Sequence, residues 1–383
     1  MSNLKQTISN YLSKLQHSLF PFLEEELEAP ISEKLLKLVT ILDMIELEQF
    51  VFDYRGYPGR PPKNRTAVAR SFVAKAVYNI PDTKSLIDRL KSDKNLRKVC
   101  GFETVYSIPA ESSFSRAFQE FASLQLPQKA HKAIITATYK DEIVGHVSKD
   151  STAIEAREKP KRKKTSQEEE IEKNSELPKK RAPKGCAKLT RIQKQAKGLM
   201  NLREMIDDLP THCNIGRKNS SSGHMYAWIG YKLHLSVDDN GVPLAAIISS
   251  ASLNDTQAAI PLAIMTAERV TSLYDLMDSG YFADAIFEHS KSLGHVPIID
   301  FAAKGEAQKA EKEQEKLARK NLSWEPAEAV RYNARTSVER ANARLKDEFG
   351  ALTVRVKGAI KVFAHLMYGV LAQTADQLIK LTT

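Results

Sequence analysis

The chain has 383 residues, 42% of them hydrophobic, which is too long for one small domain and enough for two or three with real cores. Its longest apolar stretch, Val362 to Ala375, is interrupted by His365, Tyr368 and Gln373 and falls short of the roughly 18 uninterrupted residues a membrane span needs. The net charge of +10 is local: residues 157–197 carry 15 Lys or Arg against 6 Glu, so the other 342 residues are close to neutral.

The opening MSNLKQTISNYLSKLQ is amphipathic but has neither a continuous apolar core nor a small-residue cleavage site, so a cytoplasmic protein without a secretory signal is expected. Residues 1–140 read as an all-helical domain, with apolar residues at helical spacing in Leu35, Leu36, Val39, Leu42 and Ile45 and again from Arg70 to Tyr78. Between these runs lies Arg55-Gly-Tyr-Pro-Gly-Arg-Pro-Pro-Lys-Asn-Arg65, whose three prolines exclude helix and central strand. There Arg60 and Lys63 suit an arm lying in a DNA minor groove. The same composition suits an ordinary proline-rich connector, and both readings stay open. Two further helices open with cap chemistry at Asp82-Thr-Lys-Ser85 and Pro109-Ala-Glu-Ser-Ser-Phe114.

From Gly145 the pattern turns to strands, beginning with His146-Val-Ser-Lys-Asp150. Residues 157–199 form a basic insert, three prolines and few large apolar residues between Lys159 and Lys184, which is expected to lack fixed structure and to serve as a DNA tether or a solubilising linker. Tyr226 to Asp238 and Val242 to Ser249 flank an Asn240-Gly241 step, a hairpin signal. A helix from about Thr256 to Arg269, a strand from Leu273 to Asp278, a helix from Ala283 to Leu293 and a strand from Val296 to Asp300 follow, which together predict a mixed α/β sheet flanked by helices. Helices over Arg335–Phe349 and Ile360–Leu381 close the chain. The predicted α/β core covers 145–156 and 200–350, and 351–383 forms a C-terminal helix. Cys100, Cys186 and Cys213 match neither a disulfide framework nor a Cys-x-x-Cys knuckle, and His212 beside Cys213 makes a poor zinc pair.

The sharpest motif is Tyr332-Asn-Ala-Arg335-Thr-Ser-Val-Glu339 with Lys346, whose four named side chains share one 60° stripe if the segment is a single helix. In isolation such a stripe is a solvated face with an ordinary ion pair. Its Tyr-x2-Arg-x3-Glu-x6-Lys spacing, however, resembles the signature of bacterial insertion-sequence transposases of the DDE type. Asp278-Ser-Gly-Tyr281 is similar to that family's Asp-x-Gly-Tyr, and Asp150-Ser-Thr152, Trp228-Ile-Gly-Tyr-Lys-Leu-His234 and Asn254-Asp255 extend the likeness over about residues 145–350.

The resemblance implies a ribonuclease H-like catalytic core behind an N-terminal helical domain that binds DNA ends. It further implies a catalytic and metal-binding triad of Asp150, Asp278 and Glu339 holding two Mg2+ ions, with Mn2+ as a substitute. Tyr332, Arg335 and Lys346 would contact DNA. The expected partners are the element's terminal inverted repeats and target DNA, bound by a homodimer in the bacterial cytoplasm at the nucleoid. The chemistry agrees, since transfer of a phosphoryl group needs charge stabilised on both attacking and leaving oxygens. Asp275 is the strongest rival to Asp278, but three residues along a strand it points the other way. A silent repressor derived from a transposase, and a nuclease that cuts without joining, are the competing functions.

Overall fold

The computed structural model describes residues 32–54, 58, 62–160, 189–219, 225–300, 305–321 and 326–382. Among the described residues, six α-helices precede the sheet: α1 Glu33–Ile45, α2 Arg65–Val77, α3 Thr83–Ser92, α4 Lys94–Cys100, α5 Glu111–Ser123 and α6 Leu126–Thr138. Four of them start on side-chain caps, Ser32, Asn64, Asp82 and Asp93, each accepting a backbone N–H of the first turn. At the end of α4, Gly101 takes the left-handed conformation that closes the helix.

One six-stranded sheet follows, with β1 Ile143–Glu155, β2 Asn214–Asn219, β3 Met225–Val237, β4 Pro243–Ser250, β5 Thr271–Met277 and β6 Val296–Ile299. Its order is β2-β3-β1-β5-β6, and β4 pairs with the second half of β3. Neighbours β1 and β3 are antiparallel, whereas β1–β5 and β5–β6 are parallel, which is the mixed sheet expected. The Asn240-Gly241 turn joins β3 to β4, and Asp238 accepts the Val242 N–H at 2.7 Å to hold it.

Helices α7 Arg191–Ala196, α8 Leu202–Asp208, α9 Thr256–Ala267 and α10 Asp284–Ser292 cover one face. There Met205, Ile260, Met277, Tyr281 and Ile286 form a core, with Ile192 and Ala196 of α7 packed on its edge. The basic insert, expected to be unstructured over 157–199, is thus helical near its end; residues 161–188 lie outside the described part. Thr190 and Gln193 close a reciprocal capping box there.

Beyond β6 come α11 Glu306–Asn321, α12 Ala327–Tyr332, α13 Thr336–Asp347 and α14 Ala359–Lys380. On the other face of the sheet, α13 packs on β1 and β3 while α14 packs on β4 and on α1, α2, α5 and α6. One apolar cluster therefore runs unbroken from Leu38, Phe72 and Phe118 through Tyr368 and Leu371 to Leu233 and Leu244. Each such fully buried side chain contributes ~1.5–3 kcal/mol, so α14 is held by many independent contacts.

Candidate active site

Even-numbered residues of β1 face α13. The Ser148 hydroxyl donates to the Ala334 carbonyl at 3.3 Å, Ser337 donates to Ser148 at 3.3 Å, and Asn342 donates to Asp150 at 3.4 Å. These contacts seat α13 over the strand that carries Asp150. Burial, with a smaller push from Asp278, raises the Asp150 carboxyl to about 6 against the lowering by the Ser151 N–H, Lys218 and Arg335.

Asp278 stands one residue past β5 and caps the 3-10 turn Ser279–Tyr281, accepting the Gly280 N–H at 2.9 Å. Its carboxyl is also raised, first by burial and then by Asp255. Beneath it Tyr281 is fully buried, and burial together with the field of Asp255, Asp150 and Asp278 keeps its phenol protonated. The structure thus brings Asp150, midway along β1 just past the end of its parallel pairing with β5, beside Asp278, one residue past β5.

Glu339 is placed differently. Its half-exposed carboxylate pairs with Arg335 at 2.5 Å, and among the described residues no three His, Cys, Asp or Glu side chains gather closely enough to hold an ion. The Arg335 guanidinium lies 5.6 Å from the Tyr332 ring centre; burial opposes its charge, while Tyr332, Glu339 and Asp150 reinforce it. The single helix expected across this motif is instead α12, a 3-10 turn at Asn333–Arg335 and then α13. The tightened turn brings the Ala334 carbonyl to Ser148, and Tyr332, Arg335 and Glu339 stay in contact. Lys346 is half-buried, its charge disfavoured first by burial and then by Lys218. Of the residues expected in the proline-rich loop, Arg60 lies outside the described residues, and Lys63 is exposed two residues before α2.

Lys218, on β2, escaped the sequence reading. Its segment Asn-Ile-Gly-Arg-Lys-Asn lacks the alternation that marks a strand, although two adjacent cations before a β-prone aromatic run were a signal. Behind the site, odd-numbered β1 residues face α10. Lys149 pairs with Asp275 at 2.5 Å, both 1% exposed, and Asp275 also accepts from Ser290 at 2.6 Å and meets His295 at 3.2 Å. Burial alone would raise Asp275, but Lys149 and these hydrogen bonds hold it well below the carboxylate range. Asp275 is therefore a structural anchor between β1 and α10.

Two carboxylates buried side by side repel unless a cation lies between them, and Arg335 supplies only part of that charge. Their hard oxygen donors suit a divalent ion, while Glu339 is held on Arg335.

A mixed sheet with two aspartates side by side on adjoining parallel strands and a polar helix laid over them defines the ribonuclease H-like class of DDE cores. Residues 206–374 match the family described as Transposase DDE domain, and residues 24–120 match the one described as Transposase domain (DUF772). The chain belongs to the insertion-sequence transposases of the DDE type, a family in which a divalent metal is implied and DNA is the partner. Asp278, Tyr332, Arg335, Glu339 and Lys346 fall inside the matched core, whereas Asp150 lies before it. No curated protein and no solved structure matches the chain.

Proposed function

We propose that this transposase cuts DNA at the ends of its element and joins the freed 3′ hydroxyl to target DNA, with Asp150, Asp278 and Glu339 as the metal-binding triad. The observation that carries this reading is the pairing of Asp150 with Asp278 in a partly buried site that raises both carboxyls. Two bound Mg2+ ions, for which Mn2+ substitutes, would stabilise charge on the attacking and leaving oxygens.

The chain's own groups do the rest. Arg335 holds Glu339 until a phosphate competes for the guanidinium, which binds phosphate and carboxylate alike, and the freed Glu339 would then turn towards the aspartates. Tyr332 backs that guanidinium and faces the DNA end, and Lys346 meets a backbone phosphate. Tyr281 walls off the apolar core behind the carboxylates. Joining two element ends calls for a homodimer on DNA, with the helical region of residues 1–140 gripping the terminal repeats in the bacterial cytoplasm.

The test incubates purified protein and magnesium with labelled DNA carrying the terminal inverted repeats, comparing the wild type with Asp278→Asn. Metal-dependent cutting at the element end, followed by joining and lost in the variant, is the expected result. Binding without cutting would identify a repressor. Cutting without joining would identify a nuclease.

A further inference from the structure

Helix α14 carries a polar edge along its apolar length, and the charges of that edge meet at Asp376. This carboxylate is 4% exposed and takes cations from three helices. Lys37 of α1 reaches its Oδ1 at 2.8 Å, while Arg344 of α13 and Lys380 of its own helix share its Oδ2 at 2.5 and 3.0 Å. Arg344 is gripped from its other side as well. It forks onto Glu348 at 3.0 and 2.9 Å and donates to Gln377 at 2.6 Å. The buried Phe349 ring lies beneath both Lys37 and Arg344, at 5.2 and 5.6 Å from its centre.

α13 needs a hold of this kind. Its polar contacts with β1 are long, Ser337 to Ser148 at 3.3 Å and Asn342 to Asp150 at 3.4 Å, and the second leans on a carboxylate that a metal ion would claim. From α14, Gln373 donates to the Ala341 carbonyl at 3.0 Å. Arg344 stands five residues beyond Glu339, about 140° around the helix and roughly 7.5 Å along it, so it pulls on the side turned away from that carboxylate. At a side-chain radius of roughly 5–6 Å, a roll of about 10° carries the Glu339 carboxylate roughly 1 Å. A misplacement of that size costs about 100-fold in rate. Lys37 and Lys380 fix Asp376 from behind, which makes it a post against which Arg344 resists the roll.

We propose that Asp376 is a positioning residue: through Arg344 it sets the rotation of α13, and hence the place of Glu339, and through Lys37 it locks that helix to the N-terminal helical domain. This rests on the transposase reading above and adds a residue that reading does not require.

The experiment titrates Mn2+ onto the protein bound to precut terminal-repeat DNA, counting bound ion by electron paramagnetic resonance at a temperature where every variant is folded. Arg344→Met should bind Mn2+ roughly tenfold more weakly, Asp376→Asn equally so, and the double variant no more weakly than either, because the two act through one link. Lys380→Met takes a cation from the same carboxylate without freeing α13 and should match the wild type. Arg344→Lys keeps a cation for Asp376 and should recover most of the loss. Binding of the DNA in EDTA should stay within about twofold throughout, while cutting in magnesium slows about 100-fold in Arg344→Met. Should Arg344→Met fail to fold, Asp376→Asn carries the same expectations. Wild-type Mn2+ affinity in the folded variants, or an equal loss in Lys380→Met, would overturn the proposal. If the Mn2+ affinities follow the expectation but the wild type never cuts, the catalytic reading fails alone; if it cuts while Arg344→Met binds Mn2+ as the wild type does, the Asp376 proposal fails alone.

Discussion

Replacing Asp150 with Asn should stabilise the metal-free protein while abolishing cutting. With its carboxyl raised from 3.8 to about 6, wild-type Asp150 must ionise in a partly buried site, which at about 1.36 kcal/mol per pKa unit costs roughly 3 kcal/mol above pH 6. The folded value is the higher one, so between the two values the unfolded chain loses its proton first and wild-type stability falls as pH rises. Asn avoids the penalty and still accepts from Asn342. The variant's gain should thus be roughly 3 kcal/mol at pH 7.5, about 1 kcal/mol at pH 4.5, and nothing in stronger acid. Urea denaturation followed by circular dichroism in EDTA measures it. Magnesium should then stabilise the wild type by mass action and leave Asp150→Asn unmoved. A variant no more stable than wild type at pH 7.5, or equally favoured at both pH values, would refute the account of Asp150 as a destabilised cation ligand.

Lys149→Met strands the Asp275 carboxylate in the core and should cost ~3–5 kcal/mol, read from the urea midpoint, with most of it recovered in the double variant Lys149→Met/Asp275→Leu. Because Asp275 is depressed, its contribution is present above its unfolded value near 4 and fades as pH falls towards its lower folded value, a slope that Asp275→Asn should remove from acid titrations. Arg335→Ala breaks a partly exposed pair and should shift stability by less than about 1 kcal/mol, yet cutting should slow by ~100-fold or more; comparable losses in both would make Arg335 merely structural. Gly230→Ala forces β1 and β3 apart and should cost ~2–4 kcal/mol, with a lower melting temperature as the readout.

Much of the α/β core was legible because its elements carry local signals: the Asn240-Gly241 turn, the apolar run into Asp278 and the Gly-Tyr after it. Strand alternation set Asp275 and Asp278 on opposite faces and the Gly-Tyr after Asp278 chose between them, whereas the pairing of Asp275 with Lys149 shows only in the folded sheet. β2 was not legible, because Asn214–Asn219 owes its extension to pairing with β3 rather than to its own side chains. Helix α7 was hidden by surrounding charge, although Thr190 and Gln193 spelled a capping box. The break between Tyr332 and Thr336 accompanies docking of Ala334 against Ser148, 186 residues away, and no periodicity argument reaches that far. Lys218 was missed for the same reason, since it acts on the aspartates only through the folded hairpin.

Helix α14 ties the order of synthesis to the fate of incomplete products. The apolar faces of α1, α2, α5 and α6, with Leu38, Phe72, Phe118 and Phe121, are covered by a helix made more than 200 residues after them. At ~5–20 residues per second, a ribosome needs roughly ten to fifty seconds to travel from the end of α6 to the end of α14, and those faces stay wet throughout. A gene copy interrupted before codon 359 releases a chain that keeps them wet permanently, a substrate for quality-control proteases.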